Sequence, residues 1–207
     1  MFSFLFTGNI FILKPCFEKR FDMGQKAKET PAEQETFRHL YLMRHGKAEK
    51  NKKENRDAFR PLIKRGRKDV KKIRNLMIDR QMRPDLILCS PAVRTMETLV
   101  KLKKAFATTE VVFIDALYLA DADDILRILR RTAPDKREVL VIGHNPGLQD
   151  FLPMVCDRDT MDEDLHHHRI ADGFPTSALA CLDIPEPWQK LGNTPVRLKE
   201  FIYSSDL

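Results

Sequence analysis

The sequence predicts an α/β fold: a three-layer sandwich with a mostly parallel central sheet and helices on both faces. Two observations carry this. Short apolar runs alternate with longer amphipathic ones from Phe37 onward, which is βαβα order. The short runs are continuous stretches of Leu, Val and Ile rather than alternating ones, as befits strands covered on both faces. A chain of 207 residues, 43% hydrophobic and 32% charged, with 8 Gly and 12 Pro, suits one core and is neither collagenous nor low in complexity.

Residues 1–36 read as an N-terminal extension, poorly ordered, and 37–207 as the folded domain. Six of the 13 Phe fall at positions 2, 4, 6, 11, 17 and 21. The apolar stretch Phe2 to Leu13 is too short to span a bilayer, and it lacks both a preceding basic residue and a clean cleavage pattern. One reading of the boundary has translation starting at Met23, because Gly24 to Thr36 is a mixed polar lead-in.

The strands follow at His39 to Met43, Asp85 to Cys89, Val111 to Ile114, Glu138 to Ile142 and Ala178 to Ile184. Helices fill the gaps. Lys64 to Arg80 spaces Val70, Ile73 and Met77 on one face, Val93 to Phe106 does so with Met96, Leu99 and Val100, and Ala122 to Arg131 with Ile125, Leu126 and Leu129.

The net charge of +6 is unevenly placed: Lys47 to Arg83 holds 15 Lys or Arg against 5 Asp or Glu. Such a run is a solvated face or a collector of phosphate-bearing and acidic partners. Four Cys at 16, 89, 156 and 181, with no CxxC pair, point to reduced thiols in a cytoplasmic setting. Cys89 ends an apolar run and reads as a buried structural thiol. His166, His167 and His168 lack zinc-ligand spacing, so no metal is expected.

Three strands run directly into polar residues: Arg44-His45-Gly46, Ser90-Pro91-Ala92-Val93-Arg94 and Gly143-His144-Asn145-Pro146-Gly147. Ligands of open α/β sheets bind beyond the carboxyl ends of strands, so these segments are expected to share one pocket. Two guanidiniums and two imidazoles make an anion site, with phosphate the natural guest. Arg44, Arg94 and His144 would bind and stabilise the phosphoryl group, and His45 would attack it, since imidazole offers an uncharged nitrogen at neutral pH. Gly46 is expected to leave room for close approach.

At these residues the chain resembles the histidine phosphatase superfamily, of phosphoglycerate mutase-like fold, and within it the short SixA-like phosphohistidine phosphatases. The resemblance rests on Leu42-Met43-Arg44-His45-Gly46, the run Ser90 to Thr98, His144, Arg60-Pro61-Leu62 with Gly66, Leu117-Tyr118, and Pro175 to Ala178. It implies His45 as nucleophile, Arg44, Arg94 and His144 as catalytic and phosphate-binding residues, and no metal or organic cofactor. Arg60 joins them as a possible contributor to phosphate or substrate binding.

The proton donor is the weak point of the pattern: Asp115, Asp121 and Asp123 are candidates, though each also suits a helix cap or turn. The short connection between Arg94 and Glu138 leaves little room for a lid-like insertion, which implies an open pocket and a protein-borne phosphohistidine. The alternatives are a phosphatase or mutase for small phosphate esters, and a non-enzymatic use of the basic segment toward nucleic acid or an acidic partner. The leading reading expects a phosphorylated protein or small phosphorylated substrate as partner, no stable nucleic-acid binding and no transmembrane segment.

Overall fold

In a computed structural model, residues 37–50, 57–156 and 173–207 are described. The expectations for the extension 1–36, including a start at Met23, and for His166 to His168 lie outside these residues.

The apolar runs form five strands of a six-stranded sheet, four of them inner and one at an edge. Its strands are β1 (Arg38–Arg44), β2 (Leu86–Cys89), β3 (Glu110–Phe113), β4 (Glu138–Gly143), β5 (Leu179–Ile184) and β6 (Arg197–Ile202), in the order β3-β2-β4-β1-β5-β6. The first four pair in parallel, with His39 opposite Glu138 and Leu86 opposite Val139, whereas β5 runs antiparallel to both β1 and β6. The sheet is therefore mostly parallel, as the runs required. Leu40, Leu42 and Met43 of β1 and Val139 to Ile142 of β4 are fully buried, because helices cover both faces.

The helices are α1 (Lys64–Asp79), α2 (Val93–Lys103), α3 (Ala122–Arg130) and α4 (Gly147–Val155). Val70, Ile73 and Met77 of α1 join Leu99 and Leu102 of α2 on the face carrying Tyr41, Met43, Ile87 and Ile142. Ile125 and Leu129 of α3 join Leu148, Phe151 and Leu152 of α4 over Leu40, Leu42, Leu88 and Val141. Alternate residues of one strand thus feed two cores.

Two elements are absent from the sequence reading. The helix α4 follows the segment Gly143 to Gly147, whose Gly, Asn and Pro read as a loop, and it carries Pro153 in its last turn. The strand β6 was hidden because Arg197, Lys199 and Glu200 alternate with its buried residues, an edge-strand pattern with one wet face. The strand predicted at Val111 to Ile114 lies one residue earlier, and α2 stops at Lys103, since Ala105 and Phe106 bond only three residues back.

Cys89, Cys156 and Cys181 are free and buried, and burial pushes each thiol up to about 12. No described helix is long and apolar enough to cross a membrane.

Candidate active site

The parallel arrangement brings the carboxyl ends of β1, β2 and β4 to one edge of the sheet. There β1 ends in Arg44 and passes into His45 and Gly46, β2 passes through Ser90 into Arg94 in the first turn of α2, and β4 passes into His144. Because β5 runs the other way, its entry lies at the same edge. The backbone N–H of Ser177 donates to the carbonyls of both Arg44 (3.2 Å) and His45 (3.1 Å), which ties down the Arg-His-Gly segment. Ser177 adopts φ of 64°, a left-handed conformation that non-glycine residues seldom take.

His45 is the floor of the cluster, 7% exposed. Its Nδ1 lies 2.7 Å from the carbonyl oxygen of Gly46, and since a carbonyl only accepts, Nδ1 carries the hydrogen. Nε2 is then bare, and Arg94 Nε donates to it at 3.2 Å. Burial lowers the His45 pKa to about 4, with Arg94, Arg44 and Arg60 adding to the effect and the Gly46 bond opposing it. The imidazole is therefore neutral at pH 7, with its lone pair held in a positive field.

His144 stands beside it, the ring centroids 5.2 Å apart. Burial, then Arg94 and His45, lowers its pKa to about 3. Its Nε2 lies 2.7 Å from Ser90 Oγ, while its buried Nδ1 has no partner among the described residues. Arg44 donates through Nη1 to the carbonyl of Phe174 at 2.6 Å, and its buried Nε is likewise without a partner. Buried donors without acceptors are costly in a folded protein and are found where a ligand supplies the missing atoms.

Arg94 is 2% exposed and so needs compensation. Asp57 provides it: Nη1 donates to the Asp57 carbonyl at 2.8 Å and Nη2 to its Oδ2 at 2.9 Å. The same carboxylate receives the hydroxyl of Tyr118 at 2.9 Å and Arg60 at 2.6 Å. Burial alone would raise the Asp57 pKa, but these hydrogen bonds and the charges of Arg94 and Arg60 outweigh it, so the carboxyl is held below its usual range. The Tyr118 ring also lies 5.8 Å from the Arg94 guanidinium carbon and edge-on to His144 at 5.7 Å.

Thr98 ties α2 to the Arg-His-Gly segment. Its hydroxyl donates to the Arg94 carbonyl at 2.7 Å and accepts from the Gly46 N–H at 3.0 Å.

The structure thus gathers His45, Arg44, Arg94 and His144, as the motif order implied. Arg60 adjoins the site through Asp57 and the Glu49 carbonyl. One other expectation is corrected. A Cβ on Gly46 would sit 2.9 Å from Val70 and 3.2 Å from Leu62, so that glycine accommodates the core rather than a ligand. Of the acid candidates, Asp121 caps α3 by accepting from the Asp124 N–H at 2.7 Å, and Asp115 and Asp123 are exposed.

The carboxylate at the cluster is Asp57, which sequence reasoning missed. Its one signal was the i, i+3 spacing to Arg60, ahead of Pro61-Leu62. No group of His, Cys, Asp and Glu among the described residues is arranged to hold a metal ion.

Residues 40–118 match the model of the histidine phosphatase superfamily (branch 1). An uncharacterized chloroplastic protein of Arabidopsis thaliana is 31% identical over 57% of this chain and 59% of its own length. The chain spans about three fifths of the length of the curated relatives it matches. A crystal structure from Agrobacterium tumefaciens, assigned as the phosphohistidine phosphatase SixA, superposes with a TM-score of 0.66 at 33% identity, covering 80% of this chain and 97% of that one. A second structure with the same assignment, from Nakamurella multipartitia, gives 0.69 at 25% identity over 81% and 96%. The motif segments that the sheet brings together and the fold that carries them agree with these matches, and the chain belongs to the histidine phosphatase superfamily, in its SixA-like branch.

Proposed function

We propose that the protein is a phosphatase that passes the phosphoryl group through His45 and takes it from phosphohistidine on a protein. The observation that carries this is the state of His45: neutral, with a bare Nε2 held at 3.2 Å from Arg94 Nε. A phosphoryl group entering between Arg94 and Arg44 would draw the Arg94 Nε–H onto its own oxygens and so release the lone pair of Nε2, and the free donors on Arg44 and His144 would take its equatorial oxygens. With the Ser90 hydroxyl donating to Nε2 of His144, that ring keeps its hydrogen on Nδ1 and offers it to the phosphate.

In the first step the Nε2 pair forms a bond to phosphorus. The substrate's P–N bond breaks, and its electron pair returns to the departing imidazole, which leaves neutral because its other nitrogen holds a proton. Water then attacks phospho-His45, the P–Nε2 bond breaks with its pair returning to Nε2, and the proton lost by water ends on phosphate.

The leaving group decides the substrate class. An alkoxide must be protonated as it departs, and that requires an acid that holds a proton near neutral pH. Among the described residues the cluster offers none ready to release one: both imidazoles are neutral, Asp57 is ionised by its three donors, and burial and Asp57 raise the Tyr118 pKa above its already high usual value. Imidazole needs no such help. The assignment of the Agrobacterium tumefaciens structure as a phosphohistidine phosphatase supports the same reading.

The test is turnover of a phosphohistidine peptide against small phosphate esters, each with and without EDTA. Preference for the peptide and indifference to EDTA are expected, while faster ester hydrolysis would overturn the reading.

A further inference from the structure

We propose that the outer face of α2, beside Arg94, is the docking surface for the polypeptide that carries the phosphohistidine, an apolar segment with acidic flanks. The proposal rests on the function proposed above. The inward face of α2 holds Arg94, Thr95, Thr98, Leu99 and Leu102. On the opposite face Val93, Met96 and Val100 recur at i, i+3 and i+7, and with Arg67, Glu97 and Lys101 they line a groove of about 280 Å³. Val100 is 58% exposed. The groove therefore begins at Val93, the residue before Arg94 in the first turn of α2.

Two more exposed apolar side chains neighbour site residues along the chain. The short turn Asp57–Phe59 packs against α2 and presents Phe59, 62% exposed. Leu119, next to Tyr118, is 53% exposed at a φ of 52°. Phe59 lies two residues from Asp57 and Leu119 one from Tyr118, and the hydrogen bond between Asp57 and Tyr118 shares its carboxylate oxygen with Arg94. A leucine in the left-handed region is strained, and its exposure returns nothing to the fold. Exposed apolar groups gathered at a site rim mark a surface that meets a partner.

Charge chooses the occupant. Glu97 is engaged, accepting from the Leu62 N–H at 2.7 Å with Arg67 at 3.8 Å, and Asp69 pairs with Arg65 at 3.7 Å, which leaves Lys101, with Lys64 and Lys68 at the opening of α1, as the excess positive charge. That helix starts Lys64-Arg65-Gly66-Arg67-Lys68, with no acidic residue in its first turn and no capping side chain, the wrong sign for its dipole. An acidic segment relieves this. A second copy of the chain would bring the same cations face to face, and residues 1–36 balance five Lys or Arg with five Asp or Glu.

The experiment uses three probes: a phosphohistidine peptide flanked by Leu and Glu, the same peptide flanked by Gly and Ser, and free phosphohistidine. The full chain should favour the first peptide over the second by about tenfold in KM. A Phe59→Ser, Val100→Asp double variant should lose that preference while its rate on free phosphohistidine stays unchanged, and Val100→Ser alone should lose part of it. No preference in the parent chain, or a preference that survives both variants, overturns the docking surface and leaves the phosphatase reading standing. A rate on free phosphohistidine that falls in parallel also overturns it, as does a dimer that Val100→Asp dissolves, since the face would then belong to a second copy. A parent chain inert toward all three probes overturns the phosphohistidine reading itself.

Discussion

Arg94 donates through Nε to Nε2 of His45 at 3.2 Å while its two terminal nitrogens are both held by Asp57. One side chain thus spans from a carboxylate to the bare nitrogen of the ring, which only a planar fork of donors can do. A lysine ammonium is a single point and cannot reach both ends. Arg94→Lys is expected to lower kcat/KM on phosphohistidine peptide by about 10²–10³-fold, as for loss of one preorganised donor. Steady-state kinetics check this, with circular dichroism to show that the fold persists.

Asp57 organises the arginines but also repels the dianion they attract. Asp57→Asn keeps the shape and removes the charge, so the two functions separate. Phosphate binding should tighten a few-fold, because a negative charge near the anion is gone. Turnover should fall about tenfold, because Arg94 loses the partner that aims it. Inhibition by inorganic phosphate and kcat measured on the same preparation test the pair of effects. A carboxylate acting only as structural support would not tighten phosphate binding.

The buried imidazoles couple the site to stability. A histidine held at about 4 when folded and near 6.5 when unfolded binds fewer protons in the native state between those values. Stability therefore rises with pH through that window, is fully present above the unfolded value, and is lost as pH falls toward 4. His45 alone accounts for about 3 kcal/mol of this, and His144, lowered to about 3, acts in the same direction. Urea unfolding between pH 4 and 7 should show the slope, and His45→Asn should flatten it by about 1.4 kcal/mol per pH unit. Ring titration by NMR gives the pKa directly.

The central strands and the motif residues were legible because burial on both faces demands unbroken apolar runs. The polar residues that end those runs then announced themselves. Leu40 to Met43 followed by Arg44-His45 is such a case, and the register of β1 against β4 sets His45 beside His144 as the order of segments implied. Asp57 was not legible. It lies in a short turn outside any periodic segment, and what makes it part of the site is a long-range bond to Arg94, 37 residues on, that no local pattern records. The strand β6 was missed for the opposite reason: its wet face interrupts the run. The role expected for Gly46 failed because the space it leaves is filled by Val70, a contact across two elements.

The same limit bears on the acid. Asp115, Asp121 and Asp123 attract attention in the sequence because they cluster before a helix, but the structure gives Asp121 to the N-terminus of α3 and leaves the others in solvent. Asp→Asn at each of these three positions should leave turnover of phosphohistidine peptide within about twofold of the parent, since none contacts the reacting group. Asp121→Ala, which removes the cap that Asp121→Asn preserves, should lower stability by about 1 kcal/mol with kcat unchanged. His45→Ala, by contrast, should abolish both turnover and the acid-labile phosphoenzyme trapped with labelled substrate. If any one of the three aspartates proved as necessary as His45, the departing nitrogen would need an external proton after all, and the argument that imidazole leaves unaided would fail at that residue.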